Sequence, residues 1–245
     1  KNRGAPTARN TAVEQARANL IAFLDSDDTW LPYALEHLVT TLEQHPDKIG
    51  VLANHYLIQN GITTLGVRSL RGQGVRHFLL GTDFNPGDGM LVKKEVFEKV
   101  GYQNPEMIRH EDWDWILRVY QAGYGFHLDL TPVAVINRTA YTNSQVFERT
   151  NELILARHQD YFPSFGFSDY HKAVSHRHVL LAQQYLREGK KLLGAGAFLR
   201  ALGWWPFQRP GTILMILDAL LGTRFSIWAN RRRAVTLPPE GQHGR

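Results

Sequence analysis

An α/β domain followed by an all-helical region is the fold this sequence predicts, on three observations. Residues 20–24, Leu-Ile-Ala-Phe-Leu, form an apolar run without alternation that stops at the carboxylates Asp25, Asp27 and Asp28. Such a run reads as a strand covered on both faces, as in a parallel sheet. Helical and extended patterns then alternate as far as about residue 145, and only helical patterns follow. Alternation giving way to helices argues for a layered sheet-and-helix domain with a helical extension. Domains are therefore expected at residues 1–145 and 146–245.

The elements follow in order. A helix is predicted from Pro6 to Ala18, with Pro6 or Thr7 in its first turn, and the strand at 20–25 comes next. Leu31, Leu35, Leu38, Val39 and Leu42 recur at helical spacing, so a helix runs from Pro32 to His45 and stops at Pro46-Asp47. Ile49 to Leu57 reads as a strand. Asn60-Gly61 is a turn dipeptide leading into a second extended segment, Ile62 to Val67. Residues 71–76 read as a loop, Met90 to Val92 as a short strand, and Lys94 to Val100 as a helix. Trp113, Ile116, Leu117 and Tyr120 mark a helix that starts at Glu111 and ends at Gly123. A strand at Val133 to Ile136 closes the sheet. Helices over 146–162, 168–188, 190–203 and 210–222 complete the chain.

Composition narrows the function classes. Hydrophobic residues make up 43% and charged residues 21% of the 245, ordinary values for a globular protein. Zero cysteines rule out disulfides and thiolate metal sites and suit a reducing compartment. The net charge of +5 is mild, and part of it lies in Arg231-Arg232-Arg233, which reads as a solvated tail. No basic stripe is interleaved with aromatics, so nucleic acid is not an expected partner. The stretch Thr212 to Leu221 is interrupted by Asp218 and is too short to span a bilayer.

Acids at the end of a buried strand lie where ligands of such sheets collect. Crowded carboxylates repel unless a cation joins them, and hard oxygen ligands suit Mg²⁺ or Mn²⁺, above all with a substrate phosphate. Residues 20–30 alone are equally compatible with an acidic loop in which Asp28 caps the following helix.

Residues 2–12, Asn-Arg-Gly-Ala-Pro-Thr-Ala-Arg-Asn-Thr-Ala, precede that strand. The N-x-G-x-x-x-A-R-N segment followed by F-L-D-S-D-D-x-W resembles the family 2 glycosyltransferases, which have the GT-A nucleotide-sugar fold. The resemblance continues at Gly87-Asp88-Gly89-Met90-Leu91-Val92-Lys93-Lys94-Glu95-Val96-Phe97 and at His110-Glu111-Asp112-Trp113-Asp114, covering roughly residues 1–145 in the family's order. It implies a GT-A type mixed sheet followed by an all-helical C-terminal region. Family members open with a strand–helix–strand unit that holds the base and ribose. Lys1 falls just before the Asn-x-Gly turn, so the resemblance implies an N-terminally incomplete domain and little or no transfer by residues 1–245 alone.

Sugar transfer from a nucleoside diphosphate needs neutralisation of the departing diphosphate and removal of a proton from the acceptor hydroxyl. The resemblance places Asp25-Ser26-Asp27 on the D-x-D motif, with Asp27 as direct metal ligand, Asp25 on the ribose or the metal, and Asp28 in support. It implies Asp112 as general base with Glu111 beside it. Acids in a helix's first turn are also favoured by the helix dipole, so a capping role stays open for both. Arg9, Asn10 and Gly89 are implied at the donor, the Arg as a phosphate partner and the glycines as room for backbone approach; an outward-facing Arg and a plain turn are the alternatives. The implied reaction is an inverting transfer from a UDP-sugar to a glycan or lipid-linked acceptor, with Mg²⁺ or Mn²⁺. A non-catalytic remnant acting as a binding module, and a nucleotidyltransferase, are the rival readings.

Two departures from the family pattern stand out. The Tyr-Arg-x-His of many relatives corresponds here to Asn137-Arg138-Thr139-Ala140, and the Gly-Gly-Phe-Asp before the E-D block to Gly101-Tyr102-Gln103-Asn104. His171, His176 and His178 have no zinc spacing and read as a solvated helix face. Aromatics and cations from Lys190 to Leu217 suit either packing or peripheral contact with a membrane at its cytoplasmic face.

Overall fold

The computed structural model describes residues 3–59, 61–67, 86–137, 143–207, 210–221 and 235–237. The expected loop at 71–76, Asn60 of the turn, residues 138–140 and the basic stretch 231–233 lie outside these residues.

Residues 3–137 with 235–237 form one unit and 143–221 another. The first unit opens with helix α1, Ala5–Gln15, with Pro6 in its first turn. It continues through strands β1, Leu20–Ala22, and β2, Thr29–Trp30, to helix α2, Ala34–Gln44. Strands β3, Gly50–Gln59, and β4, Ile62–Leu65, follow, joined through Gly61 at φ 71. Then come β5, Met90–Lys93, helices α3, Glu95–Val100, and α4, Glu111–Gln121, and β6, Phe126–Asn137. The sheet order is β1-β5-β3-β6-β2, with β4 on β3.

The sheet is mixed. Among the described residues only β3 and β6 run parallel, and β1 pairs antiparallel with β5, Leu20 opposite Lys93. The apolar run was expected in a parallel sheet to residue 25; instead its ladder stops at Ala22. Leu24 is 43% exposed, and the Asp25 N–H bonds a carboxylate rather than a strand. Both faces of β1 are nonetheless covered, which is why its apolar pattern does not alternate. Ile21 and Phe23 are buried, while Leu20 and Ala22 pack on a cluster of Ala34, Leu38 and Leu42 from α2 with Val51, Ala53, Leu91 and Val133. Leu35, expected in that apolar face, is largely exposed.

Two features escaped the sequence pattern. β2 has two residues, too few for any period. β6 begins at Phe126, seven residues before the expected start at Val133, and contains Pro132, which argues against a strand. The proline fits because the β3–β6 register shifts on either side of Asn54, the partner of Pro132. Beyond the sheet, Phe97 of α3 stacks on Trp115 of α4 at 4.5 Å, and the Trp115 indole donates to Gly101 O. Trp115 is thus a core residue.

The second unit is helical. α5, Ser144–Arg157, is capped by the Asn143 side chain, which accepts from Gln145 N. The expected helix to residue 162 breaks at His158, and a short 3₁₀ turn, Phe162–Phe165, with Pro163 in its first turn, precedes α6, Phe167–Arg187. α7, Lys191–Trp204, and α8, Pro210–Leu221, complete it. Its core joins Phe147, Leu181, Ala182, Tyr185, Ala197 and Ile216.

Candidate active site

The end of β1 meets the turn before β5 through Asp88. This residue has no exposed surface. Its Oδ1 accepts the Asp25 N–H at 2.8 Å, and its backbone O accepts the Trp30 indole N–H at 2.8 Å. Asp28 is held from the other side, its Oδ1 accepting the Asn137 N–H at 2.7 Å. Carboxylate oxygens of Asp25, Asp28 and Asp88 consequently lie within 4.8 Å of one another. Burial, with the charges of Asp25 and Asp28 adding, pushes the Asp88 carboxyl from its ordinary 3.8 up to about 7. Burial raises Asp28 too, against the pull of the Asn137 N–H. Three carboxylates this close favour a shared proton or cation, and an all-oxygen donor set fits Mg²⁺ or Mn²⁺.

Arg9 and Asn10 project from adjacent positions on α1. The Arg9 guanidinium forks, Nη2 to Asp25 Oδ1 and Nη1 to Glu111 Oε1, both at 2.6 Å. Burial works against its charge, but Asp25 and then Glu111 hold it above its ordinary value. Asn10 clamps the chain before α4: its Nδ2 donates to Gln103 O at 2.8 Å, and its Oδ1 accepts the Gln103 N–H at 3.0 Å.

His110 turns the chain into α4 with φ at 63°, the one positive value at a non-glycine among the described residues. Glu111, Asp112 and Asp114 thereby occupy the first helical turn. Burial first, and Asp112 second, push the Glu111 carboxyl up to about 7 despite Arg9. Burial also raises Asp112, whose Oδ1 accepts the Trp113 N–H at 2.7 Å. Asp114 is fully buried and pairs with Arg118 Nε at 3.0 Å, a structural tie, since Arg118 also donates to Val100 O and Tyr102 O.

The structure thus joins Arg9, Asp25, Glu111 and Asp112 in one neighbourhood, with Asn10 beside it. Asp27, expected to hold a metal, is exposed and outside the carboxylate group; its backbone O accepts from Asn137 Nδ2 at 2.9 Å. Asp28 does not cap the following helix: α2 has no side-chain cap hydrogen bond. Gly89 is buried, and its O accepts the Ala53 N–H at 2.7 Å, so here it is part of the β3 ladder. Asp88 was missed as a candidate. Its signal was in the sequence: a carboxylate between two glycines just before a strand that turns out to neighbour β1.

Residues 1–101 match the model of Glycosyl transferase family 2. An uncharacterized glycosyltransferase of Haemophilus influenzae is 26% identical over 124 residues, 49% of this chain and 42% of that relative. The amylovoran biosynthesis glycosyltransferase AmsB of Erwinia amylovora is 26% identical over 147 residues, 56% of this chain and 48% of AmsB. Among solved structures, S. aureus TarS 1–349 is similar with a TM-score of 0.43 and 14% identity, over 89% of this chain and 72% of that one. The chain spans less than half the length of the curated relatives it matches.

Proposed function

For a chain whose residues 1–101 match the model of Glycosyl transferase family 2, we propose cation-dependent transfer of a sugar from a nucleotide donor to a glycan or lipid-linked acceptor. The observation that carries this reading is the convergence of Asp25, Asp28 and Asp88 within 4.8 Å. A Mg²⁺ or Mn²⁺ held by these carboxylates would neutralise charge on a departing diphosphate. Asp25 then serves the donor side, while Asp27, exposed beside the group, lends negative charge.

Asp112 is the proposed general base. Glu111 is engaged by the Arg9 guanidinium, whereas backbone N–H donors hold Asp112. A carboxyl raised by burial takes a proton more readily than an ordinary one, which suits a base working near neutrality. Arrival of the acceptor oxygen at the sugar as the diphosphate leaves gives a single displacement with inversion. A UDP-sugar is the donor we infer from the family, and AmsB's role in amylovoran biosynthesis points to a polysaccharide acceptor. We assign the catalytic role to residues 1–145 and a supporting role to the helices of 146–245.

Membrane contact is proposed for α7. This helix buries Gly194, Ala197 and Ala201 and exposes Leu192 (90%), Leu193 and Leu199. Residues 189–207 contain Lys190, Lys191 and Arg200 but no acid. Apolar side chains flanked by cations suit an anionic lipid surface. No described helix is long and apolar enough to cross a membrane, and peripheral attachment at the cytoplasmic leaflet is the location we infer.

Release of the nucleoside diphosphate from a panel of nucleotide-sugars tests the reaction. In the whole natural protein, release that needs Mn²⁺ and is lost in Asp28→Asn is expected. Release unaffected by chelator would contradict the cation-dependent reading, and retention of the anomeric configuration in the product would contradict inversion.

A further inference from the structure

Arg9 stands where two acid-bearing segments meet. Its side chain is 14% exposed, as Glu111's is 12%, whereas Asp25's is 44%. The fork is therefore dry at its Glu111 end and open to solvent at its Asp25 end. Asn10, the next residue, fixes α1 to the Gln103 backbone through two hydrogen bonds. The guanidinium thus has little freedom to swing toward another anion without breaking these contacts. A planar guanidinium also holds two carboxylates at a set separation, as a single-point ammonium cannot.

The charge balance adds a second constraint. Asp25, Asp28 and Asp88 lie within 4.8 Å of one another, and Arg9 brings a positive charge to that group through its ion pair with Asp25.

We propose that Arg9 is a positioning residue and the resident counter-ion of the acidic cluster. It fixes Asp25 relative to Glu111, and a divalent cation arriving at Asp25 must compete with it there. This differs from a phosphate-binding role, in which the guanidinium would face the donor rather than two protein carboxylates. It rests on the cation reading given above. As the cation takes Asp25, Arg9 stays tethered through Glu111, so filling of the cluster is felt at the acidic start of α4.

Titration of Mn²⁺ into the 245-residue chain, with free Mn²⁺ read by electron paramagnetic resonance, tests this. Arg9→Gln should bind Mn²⁺ on the order of tenfold tighter than wild type, because a positive charge beside the site is gone. Its melting temperature should fall, because the buried Glu111 loses its partner. A part that merely braces the fold would weaken Mn²⁺ binding together with stability. Arg9→Lys keeps the charge but cannot bridge both acids, and should tighten binding by about threefold; it decides the matter should Arg9→Gln fail to fold. Unchanged or weaker Mn²⁺ binding in a folded variant overturns the proposal while leaving the cation site standing. A wild-type chain that binds no Mn²⁺ removes the cation reading itself, and the counter-ion role with it.

Discussion

Asp88 shows how a single buried carboxyl can link stability to the state of the cluster. Its ionisation is held up to about 7 from 3.8, first by burial and then by Asp25 and Asp28. A carboxyl raised on folding favours the folded state below its unfolded value, and that contribution is lost as pH rises through the folded one. Glu111, also raised to about 7, adds in the same sense. The cation-free chain is therefore expected to melt at a lower temperature at pH 8 than at pH 5. Asp88→Asn keeps an acceptor for the Asp25 N–H and should flatten that dependence; calorimetric scans across this pH range check it, and an unchanged slope would remove Asp88 as a source. Asp112 makes the kinetic counterpart. Asp112→Asn should lower turnover by about 10²-fold or more with donor binding nearly intact. In the wild type, the acid limb of turnover should lie above the ordinary carboxylate range, because burial raises Asp112. A parallel loss of melting temperature and activity would assign Asp112 to helix stability instead. Asp25, Glu111 and Arg9 were legible as candidates from their motifs, but their mutual bonding was not, since 16 and 102 residues separate Arg9 from its partners.

At the scale of elements, the sheet that carries the cluster depends on a close approach between β3 and β5. A Cβ on Gly50 would lie 2.4 Å from Leu91 O and 3.0 Å from Val92 Cα, backbone atoms that cannot rotate away. Gly50→Ala should cost roughly 1–3 kcal/mol and loosen the strand that follows Asp88. Urea melts report the first effect, and Mn²⁺ affinity the second; a variant as stable as wild type would mean that the strands part without cost. α7 invites a different measurement. Leu192→Glu with Leu199→Glu should abolish sedimentation with phosphatidylserine vesicles while leaving helical content intact. Equal sedimentation would show that this face meets no lipid. Helices with one apolar stripe, such as α2, were readable because a single partner surface imposes their period. The exposed Leu35 shows that the stripe is broader than the contact. β2 and the first half of β6 were hidden because their pairing is dictated by Asn54 and Val135 across the sheet, not by neighbours in the chain. The same holds for β1, whose buried faces were legible and whose antiparallel direction was not.

For the whole chain, alternating patterns followed by helical ones foretold a sheet with helices and a helical C-terminal region, because periods of two and 3.6 arise from backbone geometry alone. Mixed strand order was legible only through the family resemblance. Which acid faces which was settled by long-range closure: Asp28 meets Asn137 and Asp25 meets Asp88, placing Asp27 outside. Calorimetric titration of Mn²⁺ into residues 1–245, with Asp28→Ala, Asp88→Asn and Asp27→Ala in parallel, tests this grouping most directly. The expected result is binding that falls on the order of tenfold or more in the first two variants, each losing a carboxylate ligand, and far less in Asp27→Ala. Loss of binding in Asp27→Ala with Asp28→Ala and Asp88→Asn unimpaired would contradict it.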